Sequence, residues 1–340
     1  MKNNFLFLFV VLSAFGTSKA QGLKFEDSSY FDRAALPKTR ATLKSRVDYS
    51  IYTPVSYPQF GGTCVAHSFS KAITILECKK YGYTETSKII QNSFSPYFIY
   101  YNLSPTTDYK CQGGLDIEKA ANFCLNVGQV KLLDVEYPNY YPFSLSNLGD
   151  NYPDHYPYSL ADDKVVASLH QFGSIYRADD ILGVKTALSQ GMPVVGGFMI
   201  PESFQLCRTD LFNWPGDGPK YGHAMVIVGY DDYKYGGAIK VANSWGKEWG
   251  YSGYAWVPYE IADAMLVRGY ACSLESDIFQ SPNTNLPLSL NKDYTEIPND
   301  PKTQNNAPAR TATEVSYGFG ENKAKTSFDP AEYLKLAEKK

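Results

Sequence analysis

Charge of one sign, histidine and long apolar runs are all in short supply in this chain, and each lack removes a class of function. Lys plus Arg number 32 against 35 Asp plus Glu, and a net charge of -3 offers no broad attraction to nucleic acid or to an anionic membrane. The expected partner is a peptide or protein. Beyond residue 20 no stretch approaches the roughly 20 apolar residues that cross a bilayer, so no integral membrane segment is expected after signal removal. The six cysteines show none of the close Cys-x-x-Cys or His spacing of zinc sites, and neither a metal nor another cofactor is expected. No cysteine lies near residue 20 to carry a lipid. No histidine follows His223, which counts against a cell-wall amidase that uses a cysteine with two histidines and needs the second after His223. No internal repeat is visible.

What is present suits a folded, exported protein. A chain of 340 residues with 44% hydrophobic and 15% aromatic content can bury a sizeable core. Residues 1–20 carry Lys2, an apolar run from Phe5 to Phe15, and Ser18-Lys19-Ala20 before Gln21, the pattern of a cleavable signal peptide. The expected location is secreted or periplasmic. Residues 21–44 form a short mixed segment of little independent structure, 45–275 a folded unit, and 276–340 a polar tail too poor in apolar residues to pack.

Within the folded unit, Val65, Ala66, Phe69, Ala72, Ile73 and Leu76 recur at helical spacing, with Lys79 and Lys80 in the last turn and Gly82 as the stop. Cys64 opens that helix. Further helices are predicted over Leu115 to Leu125 and Ile181 to Gln190, with an irregular Tyr/Pro-rich stretch from Tyr137 to Tyr158 between them. Strands are predicted over Val194 to Ile200, Ala224 to Tyr230, Ile239 to Ala242 and Tyr254 to Val257. A mainly helical half is thus followed by a mainly β half, an α+β organisation.

The chemistry gathers at three positions. A thiol attacks as thiolate, and a helix N-terminus lowers its pKa, which Cys64 has from its place in the pattern. His223 begins an apolar strand from whose end an imidazole can reach a cleft. Asn243 follows another strand in Asn243-Ser244-Trp245-Gly246 and carries an amide oxygen able to hold one ring nitrogen while the other faces a thiol.

Taken in order, Gly62-Thr63-Cys64, Cys111-Gln112-Gly113-Gly114, Gly222-His223-Ala224 and Asn243-Ser244-Trp245-Gly246 resemble the papain and cathepsin family of cysteine peptidases, as does Val47-Asp48-Tyr49. The chain resembles a divergent member, close to bacterial secreted forms. The resemblance implies a two-subdomain fold, helical then β-barrel-like, with the active site in the cleft between them. It implies a monomeric cysteine-type peptidase working through a Cys64–His223–Asn243 triad and a thioester acyl-enzyme. Trp245 would shield the His223–Asn243 bond, and Gly113 and Gly114 would let an extended substrate approach the backbone. It further implies a bridge between Cys207 and Cys272. With only a short segment before the core, there is no room for a globular inhibitory prosegment, so signal removal is expected to suffice for activity.

Departures from the pattern keep an alternative open. The family's oxyanion glutamine lies one position further from the nucleophile, where Pro58 stands; Gln59 takes that role only if the loop is one residue shorter. Val65 replaces an aromatic residue after the nucleophile. A weak or inactive papain-like scaffold that binds peptide or protein is therefore the alternative to an enzyme. His67 is expected to be a buried polar contact, His155 and His170 surface residues, and Asn102-Leu103-Ser104 a candidate glycosylation triplet.

Overall fold

In the computed structural model, helix α1 (Cys64–Tyr81) is buried from Cys64 to Cys78, so it is a core helix and not one with a single apolar stripe. Lys79 and Lys80 complement the negative end of its dipole, and Gly82, at φ 70°, adopts the left-handed cap that ends it. The structure describes residues 22–37, 43–132 apart from 57, 60, 106, 109 and 110, residues 166–274, and the backbone of 315–316 and 327–328. The expected signal peptide, the Tyr/Pro-rich stretch with His155, and the tail apart from those four residues lie outside the described residues.

The first half comprises β1 (Leu23–Lys24), β2 (Arg46–Asp48), α1, α2 (Thr86–Gln91), α3 (Pro96–Leu103), β3 (Leu115–Asp116) and α4 (Ile117–Asn126). Ser95 caps α3 by accepting from the Phe98 N–H, with Pro96 in the first turn. Asp116 caps α4 by accepting from the Lys119 N–H. That is why the helix predicted from Leu115 starts at Ile117: its first two residues serve as strand and cap.

The second half runs β4 (Ser174–Arg177), α5 (Ile181–Ser189), β5 (Val194–Pro201), α6 (Glu202–Gln205), β6 (Pro219–Asp231), β7 (Ala238–Ala242), β8 (Tyr254–Pro258), α7 (Tyr259–Met265) and β9 (Leu266–Ser273). The strands form a sheet ordered β4-β9-β5-β6-β7-β8, and β2 from the first half also pairs with β6. β5 is buried along nearly its whole length, and so reads as a continuous apolar run instead of alternating. β10 (Val315–Ser316) and β11 (Ser327–Phe328) form a separate antiparallel pair.

Two expectations are corrected here. The sheet is not barrel-like: among the described residues β4 and β8 do not pair to close it. Each edge is covered by other chain instead, β4 by the leader, where Leu36 N–H donates to Arg177 O, and β8 by Phe212, whose N–H donates to Trp256 O. The Cys207–Cys272 bridge is also absent, and all six cysteines are free and buried. Cys272 sits in β9, its thiol donating to Tyr270 O at 3.4 Å, and lies close to Cys124 of α4. Cys207 follows α6, and its thiol donates to Thr209 O at 3.5 Å. The two thiols belong to different parts of one core that spans both halves.

The leader is more ordered than its sequence suggests. Tyr30 and Leu36 are buried in that shared core, and Arg33 forms an ion pair with Glu118 of α4. His170 likewise departs from the surface role expected of it, with Nδ1 2.6 Å from Glu77 Oε1 of α1.

Candidate active site

Cys64 occupies the first position of α1, which places its sulfur beside the backbone N–H groups of Val65, Ala224 and Gly22. His223 projects from β6, in register with Phe198 of β5, and its Nε2 lies 2.7 Å from Asn243 Oδ1. The Asn243 oxygen also accepts from the Ser244 N–H at 2.7 Å. A residue just past the end of β7 therefore meets a residue in the middle of β6, because β6 and β7 pair antiparallel. Trp245 stacks on the imidazole with centroids 4.3 Å apart and planes 25° from parallel, covering the His223–Asn243 bond. Trp249 packs edge-on against Trp245.

The second ring nitrogen, His223 Nδ1, is buried without a hydrogen-bond partner. A buried, unsatisfied ring nitrogen costs stability and is the kind of exception that marks a functional position. Adjacent to it along the chain, Ala224 offers its N–H to the thiol.

Gln59 is tied down on both ends of its amide: Nε2 donates to Gly61 O at 2.8 Å, and Oε1 accepts from Ser244 Oγ at 2.6 Å. Its backbone N–H donates to Ser244 O, so the loop before α1 is stitched to the Asn243 segment. Gly114 has φ +69°, a region open to glycine, and Gly113 N–H is taken by Asp108 Oδ2 at 2.9 Å. Asn102 Nδ2 of the candidate glycosylation triplet donates to Phe98 O within α3. His67 is buried and meets Tyr97 edge to face.

The leader crosses this site, which the sequence reading did not anticipate. β1 pairs parallel with β3, Leu23 opposite Leu115, and the Leu115 N–H donates to Gly22 O at 2.8 Å. A Cβ on Gly62 would stand 3.0 Å from Gly114 N and 3.1 Å from Gly22 Cα, so three glycine backbones lie in close contact next to the thiol. On the other wall, a Cβ on Gly222 would stand 3.0 Å from Leu23 O. Asp116 Oδ2 then accepts the N–H groups of Glu26 and Asp27, and Arg268 donates to Asp27 O at 2.8 Å. Cys64, His223 and Asn243 are consequently each 0% exposed. The expectation that signal removal suffices for activity weighs only a globular prosegment, and the leader strand beside the thiol is a second way to cover the site. Closing a cleft takes an extended strand only a few residues long where glycines admit it, not a globular prosegment.

Burial sets the protonation states. Desolvation pushes the Cys64 thiol up to about 11 against the backbone donors that favour thiolate. It pulls His223 down to about 4 despite the Asn243 hydrogen bond, which acts the other way. Beneath the leader the pair is neutral thiol and neutral imidazole.

Sequence reasoning passed over three contributors: the leader, Ser244 and Lys71. Lys71 carried a signal, since a lysine amid Phe69, Ala72 and Ile73 in a buried helix requires a partner.

Comparison with known proteins bears on the family and the fold. A family model described as papain family cysteine protease matches residues 46–279. An uncharacterized peptidase C1-like protein of Acanthamoeba polyphaga mimivirus is 26% identical over 225 residues, covering 62% of this chain and 66% of the viral protein. A probable cysteine protease of Arabidopsis thaliana is 32% identical over 94 residues, 28% of this chain and 26% of the plant protein. The chain thus spans less than two-thirds of the length of these relatives. Among solved structures, xylellain, a cysteine protease from Xylella fastidiosa, superposes with TM-score 0.57 at 20% identity over 75% of this chain and 96% of that one. Procathepsin B from Trypanosoma congolense gives TM-score 0.56 at 15% identity over 74% and 86% of the two chains. These structural likenesses establish the fold.

Proposed function

The chain belongs to the papain family of cysteine proteases, and we propose that it hydrolyses peptide bonds in peptides or proteins through Cys64, His223 and Asn243, as an exported monomer. The observation that carries the reading is the imidazole of His223. One nitrogen is fixed by Asn243 under Trp245, and the other is left unpaired in the wall that also offers the Ala224 N–H to the Cys64 sulfur.

With the leader out of the cleft, water restores solvation to both groups, and the penalty that holds them neutral falls away. Proton transfer from Cys64 to His223 Nδ1 then gives a thiolate and imidazolium, the thiolate favoured by the N-terminus of α1. The thiolate attacks the scissile carbonyl, the imidazolium protonates the leaving amine, and a thioester remains until water hydrolyses it. The Cys64 N–H is one donor to the developing oxyanion. Gln59 is the second, once Nε2 releases Gly61 O. Gly114, which admits the leader strand beside it, admits a substrate strand at the same place, with Gly113 before it. Cleavage of the signal after Ala20 would leave a new chain end one residue before Gly22, whose backbone N–H lies beside the thiol.

The test is hydrolysis of a fluorogenic peptide library by wild type, by Cys64→Ala and by alkylated protein, each before and after limited proteolysis of the leader. Hydrolysis that requires Cys64 and rises on leader cleavage is expected. Hydrolysis surviving both Cys64→Ala and alkylation refutes the mechanism.

A further inference from the structure

Lys71 lies two helical turns beyond Cys64 on α1 and is 7% exposed. Among the described residues it pairs with no carboxylate; its Nζ donates instead to the main-chain carbonyl of Asn243 at 2.7 Å. Burying an ammonium without a counter-charge costs several kcal/mol, and a structural lysine would be replaced by an apolar residue at a gain. The bond it makes explains its presence. The same Asn243 carbonyl accepts from Ser56 Oγ at 2.8 Å, and the Asn243 N–H donates to Gly253 O. Both peptide groups flanking Asn243 are therefore clamped, and the Oδ1 that holds His223 Nε2 has a fixed origin.

We propose that Lys71 is a positioning residue for this site, acting through Asn243: its ammonium pins the Asn243 carbonyl and places a positive charge close to the imidazole that Asn243 orients. The proposal rests on the reading of Cys64, His223 and Asn243 given above. The titratable groups set against Lys71 are His67 on its own helix and His223 on β6, while Tyr97 of α3 meets the far partner His67. Pro54, Val55, Ser70, Thr74 and Phe94, which share a small cavity with Lys71, bring no charge. Burial lowers the Lys71 ammonium to about 7, so it is charged throughout the more acidic range in which His223 takes up its proton; there it opposes the imidazolium and lowers the pH at which the imidazole loses its proton.

Two readouts separate clamp from charge. Long-range ¹H–¹⁵N NMR on the full chain, with four histidines to assign, gives the titration midpoint of His223. Lys71→Met should raise it by roughly 0.5–1 pH unit, whereas Ser56→Ala, which removes a donor but no charge, should leave it unmoved. Both substitutions should lower kcat for peptide hydrolysis about 3- to 30-fold with KM unchanged. A folded Lys71→Met whose His223 midpoint equals that of wild type overturns the proposal. If Lys71→Met does not fold, Ser56→Ala still decides the clamp, and an unchanged kcat overturns it. Should no form hydrolyse any peptide, the peptidase reading fails alone, because the NMR midpoint judges Lys71 without turnover.

Discussion

A single methyl group on Gly22 is expected to open the site. A Cβ built there stands 2.3 Å from Gly62 O and 2.5 Å from Gly62 C, distances that real Cβ atoms do not show. Gly62 has little room to yield, because its N–H donates to Cys111 O at 2.6 Å and it leads directly into α1. In Gly22→Ala it is therefore residue 22 that must leave. Overpacking of this kind costs about 1–3 kcal/mol when the structure stays closed, and withdrawal forfeits the Leu115-to-Gly22 hydrogen bond, worth about 1 kcal/mol net. The balance between covered and uncovered cleft should shift by roughly 1–3 kcal/mol, or about 5- to 150-fold. The assay is alkylation of native protein by iodoacetamide, followed residue by residue by peptide mapping. Cys64 should react faster by that factor, while Cys78, buried near the far end of α1, keeps its wild-type rate. An unchanged rate at Cys64 would falsify the covering role of the leader, and equal acceleration at all six cysteines would show global loosening instead.

Further outcomes follow from the same geometry. Asn243→Ala should lower kcat less than Cys64→Ala does, since it frees the imidazole but spares the nucleophile; equal loss in steady-state hydrolysis assigns Asn243 a larger role. Gln59→Ala should lower kcat about 10- to 1000-fold if its amide serves the oxyanion, with little change in melting temperature; unchanged kcat removes Gln59 from the mechanism. His67 is held down at about 3 and His223 at about 4 by burial, below the unfolded value near 6.5. Each binds its proton more readily when unfolded, so stability is present above about pH 6.5 and falls as acid approaches the folded values. His67→Phe should flatten the urea-midpoint slope between pH 6 and 4, and an unaltered slope contradicts the assignment. Arg33→Ala leaves the buried Glu118 without a cation and with Asn122 Nδ2 still donating to it, and should cost about 3–5 kcal/mol in chemical denaturation; a loss under about 1 kcal/mol would mean water reaches that carboxylate.

The amino-acid sequence by itself determined the elements whose cause is local. The helix opening at Cys64 was legible from apolar spacing closed by Lys79, Lys80 and Gly82, and four strands of the second half from runs of β-branched and aromatic residues. β9 escaped notice because Leu266–Ser273 interleaves Arg268, Gly269 and Ser273 with its apolar residues, and its strand character comes from pairing with β4 and β5 on both sides. Cys64, His223 and Asn243 were named from motif order, but their approach is a product of antiparallel register between β6 and β7 and of α1 lying against β6. Tertiary structure alone decided what has no local signature. An open sheet with covered edges replaced the expected barrel, and cysteines far apart in the core stayed unbridged. The leader reached the thiol because Gly22, Gly62 and Gly114, distant in sequence, have no side chains to keep three backbones apart. Lys71 found its acceptor in the carbonyl of Asn243, a contact between one helix and the end of a strand that no pattern along the chain encodes.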